Sequence, residues 1–489
     1  MTDISGSKKF FLDQHGCAKN QVDGELMIFR LQNMGYSQTF DADEADLIVV
    51  NSCGFIESAK KESLEAVCSA KKSYPNAKIL LAGCLAERYA SVFKTSLPEA
   101  DAVFGNGDIS RLDEIVKAIE RNERPVAVYR QEGVCCGERR TLLGFRGSAF
   151  VKITEGCSNH CSFCAIPLIR GELRSRPAKK IVEEIAYLVE NGVFEINLIG
   201  QDLAAYGLGS LDNVFEKTPS SGANDSPRSP LSRLLEMITL LPHDFRLRLL
   251  YIHPDHFNED ILPVMQGDRR LLPYFDIPFQ SGDDSVIRAM NRKGSARIYE
   301  SLVRKIRLAL PDAVIRTTFL TGFPGETEEN ALNTENFLRS IRTDWSGCFP
   351  YSREEDTPAF ACGKRVPLKA AKARAESLQK IQADITKESL ASRVGTELNV
   401  LVEEIVEGNA GLAIGRAWFQ APDVDGSVVV RYDSESDSER IFVKPGALVR
   451  VRIMGSGAVD LDSVFISPAK IPIMSKSGKL EYVTELSKA

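Results

Sequence analysis

The chain has 489 residues, of which 43% are hydrophobic and 26% charged, with a net charge of −6 and a pI of about 5.7. That length suggests roughly three domains and a core large enough to need no disulphide staples. The acidic balance argues against a nucleic-acid binder. The N-terminal MTDISGSKKFF has no apolar signal core, and no apolar run reaches the ~18 residues of a membrane span, so a soluble, cytosolic protein with no membrane partner is expected.

In chain order, residues 8–122 read as an α/β domain. Short apolar runs alternate with helical patterns: FFLDQHG at 10–16, DLIVVNS at 46–52, KILLAG at 78–83 and AVFG at 102–105. Such runs predict a parallel sheet with helices on both faces. Cys17, Cys53 and Cys84 each follow one of these strands, about one β-α repeat apart. Strand ends of a parallel sheet share one edge, where ligands bind, so the three thiols are expected to converge. The alternative is three buried cysteines, since cysteine is a common core residue. The sequence holds eleven cysteines but only five histidines. In a cytosolic chain this points to a sulphur-ligated metal, either an iron–sulphur cluster or zinc.

Residues 123–147, with Pro125, Gly133, Cys135, Cys136 and Gly137, read as a linker. From 148 to 385 strands and helices alternate again. Candidate strands are AFVKITEG (149–156), EINLIGQ (195–201), RLRLLYIH (246–253), YFDIPF (274–279), VIRTTFLTG (314–322) and SGCFPYS (346–352). Repeated βα units predict a full or partial (β/α) barrel. The stretch from Gly209 to Pro230 reads as a flexible surface insertion. The segment GCSNHCSFC at 156–164 sets Cys157, Cys161 and Cys164 just after the first barrel strand, where barrels place their chemistry. Three thiolates on one loop can hold three corners of a four-iron cluster and leave the fourth iron open to a ligand. A structural zinc loop would need a fourth ligand, for which His160 is poorly placed.

KAAKARAESLQKIQADITKESLA forms one charged helix. Residues 394–470 then turn all-β, with ELNVLVEE, AIGRAWF, SVVVRY, RIFVKP, LVRVRIMG and VDLDSVFI as strands of a small barrel. Residues 471–489 read as a polar tail. The fold class is therefore α/β: an N-terminal parallel α/β domain, a central partial (β/α) barrel and a C-terminal small β-barrel.

The cysteine loop after the first barrel strand resembles that of the radical S-adenosylmethionine enzymes. The resemblance implies that the open iron binds S-adenosylmethionine, whose reductive cleavage yields a 5′-deoxyadenosyl radical. With the second cysteine set, HGCAKNQVDGE, VNSCGFI, AGCLAER, EGCSNHCSFCAIPLIRGELRSRP, GQDLAAYG and GFPGETEE are together similar to the radical methylthiotransferases, over nearly the whole chain. Membership implies two four-iron clusters: a radical-generating one on Cys157, Cys161 and Cys164, and a sulphur-handling auxiliary one on Cys17, Cys53 and Cys84. It also implies a TRAM-like small barrel and an electron donor such as flavodoxin or ferredoxin. Two substrates are open: an aspartate of small-subunit ribosomal protein twelve, or an adenosine beside the anticodon of transfer RNA. YFDIPFQ, SGCFPYS and AIGRAWFQAPDVDG look more like the protein-modifying branch. Residues 394–470 carry seven Lys and Arg against twelve Asp and Glu, a net of −5, which suits a basic ribosomal protein better than RNA. The acidic run DSESDSE alone reads equally as a solvated loop.

Gln201, Gln280, Arg316 and Gly322 sit at predicted strand ends. They line an S-adenosylmethionine pocket or merely form the barrel rim. Arg170 and Arg174 follow the cysteine loop, either to stabilise its negative charge or as solvated arginines. Cys68, Cys348 and Cys362 read as core or incidental thiols, Cys135 and Cys136 as non-ligands, and His253 and His256 as loop residues rather than a zinc site.

Overall fold

The structure is a computed structural model that describes residues 7–129, 133–134, 136–215, 228–408, 411–470 and 480–483. Cys135, the middle of the 209–230 insertion and nearly all of the polar tail lie outside the described residues.

The first sheet has six parallel strands in the order β2-β1-β3-β4-β5-β6. They are β1 (Lys9–Gln14), β2 (Ser37–Gln38), β3 (Leu47–Ser52), β4 (Lys78–Gly83), β5 (Ala102–Gly105) and β6 (Val126–Ala127). The runs at 78–83 and 102–105 become strands without change because, after Lys78, they hold only apolar residues and glycine, as a sheet buried on both faces requires. Helices α1 (Ala18–Asn33), α2 (Glu57–Ser73), α3 (Cys84–Ser96) and α4 (Leu112–Glu120) bury their apolar stripes against it. Phe10, Leu12, Val49 and Leu80 meet α1 and α4, while Phe11, Ile48, Val50 and Ile79 meet α2 and α3.

The segment read as a linker is packed. It contains β6 and β7 (Thr141–Leu143), and its Arg139 is buried against the carboxylates of Glu25 and Glu184. Next come β8 (Ser148–Lys152), the short antiparallel pair β9 (Thr154–Glu155) and β10 (Arg174–Ser175), and then β11 (Glu195–Ile199), β12 (Arg246–Leu249), β13 (Leu271–Asp276), β14 (Val314–Thr321) and β15 (Trp345–Pro350). Strands β8 and β11–β15 form one open parallel sheet in chain order, a partial (β/α) barrel. Two expected strands were displaced. RLRLLYIH stops at Leu249 because Tyr251 adopts a left-handed backbone, φ 68°. YFDIPF shifts to 271–276, since Pro278 has no N–H for a ladder.

The barrel strands alternate faces. Val151, Leu198, Leu249 and Ile315 pack against the outer helices, whereas Phe150, Ile199, Tyr274, Val314 and Trp345 face inward and meet the small barrel. That barrel is closed, in the order β16-β17-β18-β20-β19, from β16 (Glu397–Ile405), β17 (Leu412–Arg416), β18 (Val428–Arg431), β19 (Leu448–Ser456) and β20 (Leu461–Lys470). RIFVKP is not a strand: Asp437–Phe442 is one helical turn and a half, with Asp437 and Glu439 in its first turn. A final strand, β21 (Glu481–Val483), pairs in parallel with β7. The described residues contain no helix long and apolar enough to cross a membrane.

The two barrels are joined by buried charge. Glu195 accepts from Arg416 of β17 (2.8 Å) and pairs with Arg248 of β12 (3.0 Å). Burial works to raise the Glu195 carboxyl, but the two guanidinium groups outweigh it and hold the pKa well below the usual carboxylate range. A carboxyl depressed in the folded state stabilises fully above its unfolded pKa, about 4.5, and loses that contribution as pH falls further. The urea midpoint is expected to drop more steeply between pH 5 and pH 3 in the native protein than in Glu195→Gln. Parallel slopes would remove this role.

Candidate active site

Cys17, Cys53 and Cys84 stand just past the C-terminal ends of β1, β3 and β4, which are adjacent in the sheet. Their loops touch. A Cβ on Gly16 would lie 3.3 Å from Cys53 Cβ, and one on Gly54 would lie 2.7 Å from the carbonyl of Cys84. Asn20, which no metal-ligand motif in the sequence marks, clamps them: its Nδ2 donates to the carbonyls of His15 (2.7 Å), Asn51 (3.1 Å) and Ser52 (3.2 Å). Asn20 Oδ1 also lies 3.7 Å from Cys84 Sγ. The HGC-x-x-N spacing was the available signal, because it puts Asn20 on the first turn of α1.

The second set sits on the loop after β9. Cys157 N–H donates to Gly171 O (3.0 Å), Cys164 N–H to Cys161 O (3.0 Å), and Ser162 is held by the carbonyls of Ala289 and Met290. Gly156 takes φ 72°, and a Cβ there would run into the carbonyls of Gly171 and Glu172, so only glycine lets the loop close. His160 is exposed and turned toward Glu172. Burial pushes the thiols of Cys157 and Cys164 up to about 12; it does the same to Cys84. At Cys17 burial also works upward, but the charges of Lys19 and Arg170 outweigh it and hold the thiol below its ordinary value. By exposure Cys84 and Cys161 are buried, Cys53, Cys157 and Cys164 half-buried and Cys17 exposed; a bound metal would take each of them as the thiolate. Three soft donors per set with backbone packed close around them fit an iron–sulphur cluster in each place.

Arg170 changes partner relative to expectation. It follows the second loop but reaches the first set, donating to Cys84 Sγ (3.2 Å) and Asp23 (2.8 Å) while pairing with Glu155. The helix that carries it, Ile166–Arg170, packs Ala165 and Ile169 against Cys84. Lys152, fully buried, pairs with Asp23 (2.5 Å) and Glu155 (2.6 Å). The two thiol sets therefore face each other across one five-residue helix and a buried network of two acids and two bases. Arg174 instead spends its guanidinium on the carbonyls of Glu172, Arg170 and Gly133.

Gln201, whose side-chain N and O atoms are both buried, and Gln280, whose buried Oε1 also lacks a partner among the described residues, are free to receive a ligand. Arg316 is instead committed to Asp276 (3.6 Å) and to Asp425 of the small barrel (3.3 Å). Gly322 packs on Ala371 and donates its N–H to Glu326. A cavity of about 240 Å³ beside Cys157 is lined by Asn159, Asp202, His253, His256 and Lys293. Asp202, which follows β11, about 50 residues before IHPDH, accepts from His256 Nδ1 (2.8 Å), Asn159 (3.0 Å) and the His253 N–H (3.1 Å). One ligand atom from each of Asp202, His253 and His256 lies within 4.8 Å of the others. His253 nevertheless uses Nδ1 to accept from the Asp255 N–H, and its Nε2 faces Cys161 Sγ at 3.8 Å. The group therefore braces the cysteine loop. Cys348 is buried as expected; Cys68, Cys136 and Cys362 are exposed.

Three family models match the chain: an uncharacterized protein family over residues 9–105, the radical SAM superfamily over 151–338, and the TRAM domain over 394–466. Among relatives, the ribosomal protein uS12 methylthiotransferase RimO of Treponema denticola is 49% identical, covering 93% of this chain and 100% of its own. The proteins of the same name from Symbiobacterium thermophilum (37% identical, 91% and 88% covered) and Bdellovibrio bacteriovorus (35%, 94% and 98%) match over similar spans. All three are named for the ribosomal protein and none for transfer RNA. On identity, on coverage of both chains and on the three matched modules, the chain belongs to the ribosomal protein uS12 methylthiotransferases, a family of radical S-adenosylmethionine enzymes.

Proposed function

We propose that this chain adds a methylthio group to the β-carbon of an aspartate in ribosomal protein uS12. We place it in the cytoplasm, with a flavodoxin- or ferredoxin-like protein as electron donor. The observation that carries the reading is the shared helix Ile166–Arg170, which follows Cys164 directly and packs on Cys84. Chemistry begun at one thiol set is then within reach of the other.

Cys157, Cys161 and Cys164 would hold the radical-generating cluster, Cys17, Cys53 and Cys84 the auxiliary one, and Gln201 and Gln280 would bind S-adenosylmethionine. Bound there, these groups would supply one-electron chemistry and a transferable sulphur, which acid and base side chains do not. The protein's share is placement and exclusion. Helix α1 covers the inner face of the barrel from one side through the Asp23–Lys152 pair, and the small barrel covers it from the other through Arg416, Trp345 and Asp425. Cover on these two sides limits the access of water and stray hydrogen donors to the reacting carbon. Arg170 and Lys152 balance Asp23 and Glu155, so the wall between the thiol sets is neutral as a unit. The net −5 of the small barrel favours a basic protein partner over RNA.

Mass spectrometry of uS12 from cells lacking this gene tests the reading. The protein is expected to be lighter by one methylthio group, and complementation is expected to restore it. An unchanged uS12 mass with altered transfer RNA would overturn the assignment.

A further inference from the structure

We propose that Lys19 receives the side-chain carboxylate of the substrate aspartate and so selects aspartate over its amide; this rests on the reaction proposed above. Lys19 is the second residue of α1, two positions after Cys17, and only 8% exposed. Its ammonium stands 3.3 Å from the centre of the Tyr251 ring. Among the described residues it makes no ion pair with any carboxylate within 4.0 Å.

Its acidic neighbours each have a nearer partner. Asp23 and Glu155 each pair with Lys152 and Arg170, and Asp276 and Asp425 pair with Arg316. Of these four cations Lys19 alone has no carboxylate within 4.0 Å, and Asp276, which shares Arg316 with Asp425, acts on it only from farther away. A buried ammonium with no anion in direct contact is costly, and contact with one aromatic face offsets only part of that. The shortfall is made good by an anion that arrives with the substrate.

The position suits this anion. Tyr251 follows β12, its N–H donates to Asp276 Oδ2 (3.3 Å), and Asp276 ends β13. Lys19 thus lies between the rim of two barrel strands and Cys17. In an aspartate the carboxylate is bonded directly to the β-carbon. Holding it fixes that carbon one bond away, on the side of the auxiliary thiols, which is the orientation that sulphur attachment needs. The second residue of α1 is also within the first turn, where the helix dipole favours a carboxylate.

The competing role is charge balance for the auxiliary thiolates alone, since Lys19 also acts on Cys17. Binding of purified uS12 and of its Asp→Asn form to the reconstituted holoenzyme separates the two. Native enzyme is expected to bind the aspartate form about 10- to 100-fold tighter, the usual worth of a charge-assisted contact. Lys19→Met is expected to bring that ratio to within about twofold of unity, with iron content and the visible cluster absorbance unchanged. A ratio that persists in Lys19→Met overturns the proposal, and so does loss of auxiliary iron, which gives Lys19 to the cluster. Lys19→Gln is read the same way where Lys19→Met does not fold. Failure of the native enzyme to modify uS12 would instead overturn the reaction itself.

Discussion

Cys161→Ala is expected to lose about half of the protein's iron and all of its S-adenosylmethionine cleavage. Cys161 is the buried member of its loop, 3.8 Å from His253 Nε2. A three-thiol site has no spare donor, so losing one thiolate loses the cluster rather than weakening it. Reconstituted native protein should hold about eight irons per chain, two four-iron clusters, and the variant about four. With dithionite as reductant, the native protein should release 5′-deoxyadenosine and the variant none above background. The complementary variant, with Cys17, Cys53 and Cys84 all changed to Ala, should lose the same share of iron yet still release 5′-deoxyadenosine. It should make no methylthiolated uS12. Equal loss of cleavage in both variants would show that the two thiol sets do not have separate tasks.

Arg170→Met is expected to destabilise the fold by about 3–5 kcal/mol, the usual cost of stranding a buried charge. Arg170 touches Asp23, Glu155 and Cys84 at once and is itself buried. Lys152 would then face two acids alone. Arg170→Lys keeps the charge but has one short-reaching ammonium for three acceptors, so only part of the loss should return. Urea denaturation of the metal-free proteins measures both. A change under about 1 kcal/mol in Arg170→Met would mean that the network is solvated.

Much of this was legible in the sequence, for a physical reason: strands buried on both faces are written as unbroken apolar runs. KILLAG and AVFG needed no context to be placed, and thiols at equivalent strand ends were bound to meet because parallel strands share one edge. The failures have a common cause too. RIFVKP offers three apolar residues in a row, yet only Val443 is buried. Its register depended on the acidic turn before it, not on alternation. Arg139 finds Glu25 from 114 residues away, Lys152 finds Asp23 from 129 and Arg416 finds Glu195 from 221. No local pattern announces such a partner, so in the sequence Arg139 belongs to a linker and nothing marks Lys19, Lys152 or Arg416. Arg170 lies near one cysteine set in sequence and touches the other in space.

The pairing of β7 with β21 has a consequence for the order in which the molecule is made. The N-terminal sheet is complete once β6 has left the ribosome, and the barrel sheet once β15 has. Strand β7, between them in sequence, must wait for residues 481–483 before its edge is covered. Synthesis from the N-terminus therefore finishes both halves of the active site before the seam beside them is sealed. A nascent chain paused at the small barrel would hold its thiols in place while that edge stood open to other strands.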